Sequence, residues 1–146
     1  VGKKIREAVE RAIVLAKANG AKRGLLLPVS APFHSSLLRP AAERLARRLA
    51  EVAIAAPAIT VLHNVDVLPH AAPSSIRDAL AQQAAQPVRW TATMQAMGAQ
   101  GVTHVVECGP GKVLAGLAKR SIEGIEAHSL TDGEALAATL AALATA

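Results

Sequence analysis

Apolar positions along this chain switch between a helical spacing and short continuous runs. Ile5, Val9, Ala12, Ile13 and Ala16 share one stripe of a helix over Lys3–Ala18, because side chains three and four residues apart stack on one face. Asn19-Gly20 predicts its end. The run GLLLPVS at 24–30 reads as a buried strand, and 31–36 as a loop holding Pro32, Phe33 and His34. Residues 37–52 are helical in pattern, with Leu38, Ala41, Ala42, Leu45, Leu49 and Val52 lining one side. A strand at 59–62 and a loop at 63–73 follow. Ser74 or Ser75 is placed to cap a helix reaching about residue 85, and Pro87 breaks it. Further helices are predicted at 91–99, 112–121 and from Gly133 onward, with strands at 102–108 and 125–130. Gln100-Gly101 closes one helix, and Asp132 is the expected cap of the last. Strands separated by helices of this length predict an α/β fold with a mostly parallel sheet. Ligands of such sheets sit beyond the carboxyl ends of strands. The loops after Ser30, Leu62 and Cys108 are expected there.

Composition narrows this picture. The chain of 146 residues is enough for one domain, or a large piece of one. Its 51% apolar and 18% charged residues exclude a disordered chain. Phe33 and Trp90 are the aromatic residues, so the core has to be Ala, Val, Leu and Ile. The net charge is +5. Its basic residues are scattered and there is little to stack bases on, which argues against nucleic acid and favours an acidic protein partner. No run approaches the ~20 apolar residues of a membrane span, and the apolar tail at 135–146 reads as a helix packed on a core. The N-terminus lacks a signal-peptide pattern, and the expected location is cytoplasmic. Opening on Val1 instead of Met predicts a processed chain or a piece of a longer one.

Few residues suggest chemistry. His34 follows a strand, where a histidine can act as a general base, but by position alone a solvated loop histidine is the stronger reading. His63, His70, His104 and His128 show neither HxH nor HxxxH spacing, so no metal site is expected. The single cysteine, Cys108, excludes an internal disulfide and a cysteine metal cluster. It is expected to be buried in the core, in preference to acting as a nucleophile. Gly109-Pro110-Gly111 makes a tight turn into a helix, without the spacing of a phosphate-binding loop. None of the serines lies in a GxSxG nucleophile elbow.

Four segments together carry a resemblance: GAKRGLLLPVSAPFHSSLLRPA at 20–41, NVD at 64–66, IRDALAQQAAQPVRW at 76–90 and ECGPGKVLAGLAKR at 107–120. In order, spacing and wording they resemble the C-terminal half of the malonyl-CoA:acyl carrier protein transacylase family of bacterial fatty acid synthesis. That resemblance implies an α/β-hydrolase-like acyltransferase core with a ferredoxin-like subdomain. Residues 1–30 would be the last helix and strand of the subdomain, and 31–146 the C-terminal part of the large one. It implies ping-pong transfer of malonyl from malonyl-CoA to the phosphopantetheine thiol of acyl carrier protein, with no cofactor. His34 would be the base, oriented by the main-chain carbonyl of Gln83, with Gln82 adjacent as the weaker match. Phe33 would favour malonyl over its bulkier α-methyl homologue. Asn64, Gly109 and Gly111 match segments bordering the substrate cleft. Arg44, Arg47, Arg48, Lys112, Lys119 and Arg120 are candidates for a basic face toward the carrier protein. The family's GQG motif, GHSxG serine elbow and malonyl-pairing arginine lie in its N-terminal half and do not occur here. The chain alone is therefore expected to be inactive. The alternatives are a non-catalytic fragment that binds carrier protein, or one half of a split acyltransferase. An independent hydrolase using Cys108 or Ser35 is a third.

Overall fold

Helices and short strands alternate along residues 2–29 and 31–144, which this computed structural model describes. Ser30, where the expected strand at 24–30 ends, lies outside the described residues, as do Val1, Thr145 and Ala146. Helix α1 spans Lys3–Ala18. Gly20 stops it in the left-handed region, at φ 92. The amides of Gly20 and Ala21 then return to the carbonyls of Lys17 and Ala16, which satisfies helix-end acceptors that lack partners of their own. Trp90–Ala99 forms a helix (α4 in chain order) that ends identically at Gly101, φ 81, with amides returning to Gly98 and Met97.

Over residues 24–29 the expected strand does not form. Residues 24–29 make no ladder, and Leu25, Leu26, Leu27 and Val29 are exposed. A strand needs a neighbour for its N–H and C=O groups, and no other described segment supplies one. The segment lies instead against α1, where Gly24 comes so close to Ile13 that a Cβ would sit 2.8 Å from the Ile13 Cγ2. Ile5, Val9, Leu26 and Phe33 are among the residues around an apolar groove of ≈ 750 Å³ between them.

After a 3₁₀ turn at Ser36–Leu38, helix α2 runs over Arg39–Ala50. It packs on helix α3, Pro73–Gln83. The cap of α3 is Ala72, not the expected Ser74 or Ser75. Pro73 takes the first helical position, where a missing N–H costs nothing, and Ser75 donates to the Ala72 carbonyl instead. Arg77 reaches across from α3 to the end of α2. Its Nε donates to the Leu49 carbonyl and its Nη2 to that of Val52, each at 2.9 Å. Two acceptors at a helix end are thereby satisfied by one side chain.

Between these helices lies a small hairpin, β1 at Leu62–His63 paired antiparallel with β2 at Leu68–Pro69. The sequence pattern predicts a strand ending at Leu62 and only loop beyond. Among the described residues, parallel pairing is confined to β3, His104–Glu107, and β4, Glu126–Ser129. They are joined by helix α5 at Val113–Ser121 in a βαβ unit. The mostly parallel sheet that was expected thus shrinks to one pair, because the hairpin pairs antiparallel and 24–29 pairs with nothing described. Met94, Ala118 and Ile125 are buried together here, with Trp90, Met97, Val105, Ile122 and Ala127 packed against them. The Trp90 indole donates to the Ser121 hydroxyl at 3.2 Å, tying α4 to the end of α5. Helix α6, Gly133–Leu143, starts at Asp132, whose carboxylate accepts from the Ala135 amide at 2.8 Å.

Met94 is 3% exposed at the centre of this cluster. Met94→Ala should lower unfolding stability by about 2–5 kcal/mol in a denaturant titration. The Ala135 amide, then the Thr131 hydroxyl, hold the Asp132 carboxyl below its ordinary 3.8. Its support of α6 is present above that ordinary value and lost as pH falls through the lowered one. The Ala135 amide resonance should therefore titrate with a midpoint below 3.8.

Candidate active site

His34 sits in a tight turn closed by the Ser35 hydroxyl, which donates to the Pro32 carbonyl at 2.7 Å. Its backbone is left-handed, φ 55, a conformation histidine adopts more readily than most side chains. The ring is exposed, and its Nδ1 lies 2.9 Å from the Gln83 carbonyl. Gln83 is the last residue of α3, so this carbonyl is one that the helix cannot use internally. An acceptor there fixes the ring as the Nδ1–H tautomer when neutral and leaves Nε2 free.

Gln83 is held from its other end as well. Its side-chain amide donates to Nδ1 of His63 at 3.0 Å. His63 is buried, 5% exposed, and its ring is tilted against that of His70 with centroids 5.1 Å apart. His70 Nε2 in turn lies 2.8 Å from Asp66 Oδ2. Partial burial pushes the Asp66 carboxyl up, but the His70 hydrogen bond and the Leu68 amide draw it down, and the group lies below its usual range. The loop that carries Asp66 is tightly wound. Val67 takes φ 67, an outlying conformation for a β-branched residue, and its amide bonds the His63 carbonyl. Arg89 fastens the loop from outside, its amide to the Asn64 carbonyl and its guanidinium to that of Asp66.

Of the residues singled out by sequence, His34 and Gln83 are in contact, and Gln82 is exposed. Phe33 is 59% exposed and lines the groove against α1. Asn64 enters through its carbonyl on Arg89. Gly109 and Gly111 belong to the turn before α5, which has its own anchor. Glu107 Oε2 accepts from the Ala115 amide at 2.9 Å, so the start of α5 already holds a carboxylate. Cys108 is exposed, not buried as expected, because it follows the last residue of β3 and turns away from the core. Sequence spacing did not reveal His63, His70 and Arg89 as supports of this site.

No protein-family model matches the chain. Over 135 residues, 92% of its length, it is 50% identical to the malonyl CoA-acyl carrier protein transacylase of Escherichia coli (strain K12), of which it covers 44%. It superposes on the acyl-carrier-protein S-malonyltransferase of Burkholderia pseudomallei 1710b with a TM-score of 0.86 and 52% identity, over 91% of this chain and 43% of that one. A malonyl-transacylase solved in complex with its type II PKS acyl-carrier protein matches with a TM-score of 0.88 and 43% identity, over 93% and 44%. The chain spans less than half the length of the curated relatives it matches.

Because the His34 ring is held by a main-chain atom, Gln83→Ala should leave its tautomer unchanged. Long-range ¹H–¹⁵N NMR should find Nδ1 protonated in both proteins at a pH where the ring is neutral. Protonated Nε2 in either would contradict this geometry.

Proposed function

This chain is related to malonyl CoA-acyl carrier protein transacylases and matches a C-terminal part of them, and from that premise we propose that it supplies the base to a Ser–His malonyltransferase. The observation that carries the reading is the contact between His34 Nδ1 and the Gln83 carbonyl. A base must accept a proton at one nitrogen while the other is held, and this arrangement supports that role at Nε2.

The reaction runs in two halves. A serine hydroxyl, from sequence other than these 146 residues, attacks the thioester carbonyl of malonyl-CoA and gives its proton to His34 Nε2. The tetrahedral adduct collapses, the C–S bond breaks, and His34 returns the proton to the departing CoA thiol. The phosphopantetheine thiol of acyl carrier protein then attacks the malonyl ester, again losing its proton to His34. Serine leaves as the alcohol with that proton. No electrons are exchanged, and no cofactor is required.

The other parts follow from the same premise. Residues 1–30 form the end of a ferredoxin-like subdomain, and 31–146 the C-terminal part of a hydrolase-like large one. The packing of α1 against 24–29, separate from the cluster around Met94, supports this division. The exposed side chains of Leu25, Leu27 and Val29 suit a surface that the rest of such an enzyme covers. Phe33, beside His34, narrows the site toward malonyl, a size filter worth ~1–3 kcal/mol. Asn64, Gly109 and Gly111 border the cleft. Exposed Arg44, Arg47, Arg48 and Lys112 offer positive charge to the acidic carrier protein. No described helix is long and apolar enough to cross a membrane, and the proposed reaction is a cytoplasmic one.

Intact-mass analysis with malonyl-CoA tests the proposal. The chain alone should gain no adduct. With a second chain carrying the GHSxG half, malonyl should appear on that chain, and His34→Ala should slow its transfer by about 10²–10⁴-fold. An adduct on this chain alone would overturn the reading and direct attention to Cys108 or Ser35.

A further inference from the structure

Outside the site around His34, one cluster of side chains combines the atoms that bind a transition metal. The parallel register sets His104 of β3 directly beside Glu126 of β4, and His128 follows Glu126 by two residues. Side chains two apart on a strand share a face, so all three project from the same side of the sheet. One ligand atom from each lies within 4.8 Å of the others. Glu126 Oε2 is 3.6 Å from His104 Nε2 and 3.9 Å from His128 Nε2. Tetrahedral zinc, with ligands at roughly 2.0–2.2 Å, needs separations of about 3.4 Å. Small side-chain rotations close that difference.

Two further details point the same way. His104 Nδ1 lies 2.9 Å from the Thr103 hydroxyl. With Nδ1–H donating to that hydroxyl, the Nε2 lone pair is free for a metal, the arrangement that orients metal-binding histidines. His128 Nε2 is buried and has no hydrogen-bond partner, although buried polar atoms seldom remain unsatisfied. The two rings lie nearly parallel, 5° apart, with centroids 6.1 Å from each other. Both present Nε2 toward the same carboxylate.

We propose that His104, Glu126 and His128 form a binding site for one divalent transition-metal ion, with zinc the best match. Two imidazoles and one carboxylate suit zinc, cobalt or nickel, and disfavour magnesium and calcium, which take oxygen ligands. Three protein ligands leave a fourth position for water. Histidine spacing along the chain argued against a metal, but it compares only near neighbours, whereas this trio is assembled across two strands. Its ligands join β3 to β4, with His104 and Glu126 opening the two strands and His128 two residues further on, so it serves to brace the βαβ unit.

The test is a zinc titration of the 146-residue chain against a chromophoric chelator, paired with cobalt absorption spectra. One zinc per chain should bind, and cobalt should give the intense visible bands of a tetrahedral site. His104→Ala and His128→Ala should each weaken zinc by more than the roughly 10–100-fold that loss of a supporting hydrogen bond causes. Glu126→Gln, at an exposed position, preserves the strand and should weaken zinc at least tenfold with an unchanged circular dichroism spectrum. His70→Ala and Cys108→Ser should bind as the parent does. Unaltered affinity in Glu126→Gln and His128→Ala, or no zinc bound by the parent, would overturn the proposal. Neither result bears on the acyl-transfer reading, which rests on His34.

Discussion

The bond between the His34 ring and the Gln83 carbonyl joins segments 49 residues apart in sequence, and the arrangement of the site depends on it. A helix has to end with carbonyls that find no partner within it. Here one such carbonyl faces a histidine whose own turn is left-handed and closed by Ser35. The ring needs no carboxylate neighbour, because α3 itself provides the acceptor and sets the negative end of its dipole beside the ring. The same residue is anchored a second time through its side chain on buried His63, behind which His70 and Asp66 follow. Orientation at the exposed ring is therefore inherited from packing well behind it.

Local signals survived the passage from sequence to structure best. Asn19-Gly20 and Gln100-Gly101 end helices in the structure as the pattern predicts, and Asp132 caps the last one, because each of these events is decided within five or six residues. The cap of α3 is the informative exception. Both Ser74 and Ser75 have the right chemistry, yet proline at 73 suits the first helical position better and moves the start ahead of them. Strands were less legible. The run at 24–30 is as apolar as any strand, but apolarity does not supply a pairing partner. Cys108 was misjudged for a related reason, since one residue past the end of a strand is enough to leave the core.

Side-chain clusters divide along the same line. His34 and Gln83 are legible only through the resemblance carried by the surrounding segments; periodicity alone reads His34 as a loop histidine. The trio at 104, 126 and 128 was invisible to any scan of spacing. Its members meet because β3 and β4 run parallel in one particular register, and a slip by one residue would send two of the three to the opposite face. The two histidine groups also differ in what satisfies them. The His63 ring nitrogen described is satisfied by the Gln83 side chain, whereas at His128 a buried nitrogen is left over.

The reach of Arg77 onto the carbonyls of Leu49 and Val52 has a consequence for motion. Fraying normally begins at helix ends, where backbone groups are held least. The end of α2 is clamped by a side chain rooted in the middle of α3, so it cannot loosen while α3 remains in place. The two helices are then expected to open as one cooperative unit, and the turn bearing His34 and the carbonyl that orients it belong to the same unit. Thermal agitation would tend to dismantle the pair together and not to leave a population in which the histidine is present but misdirected.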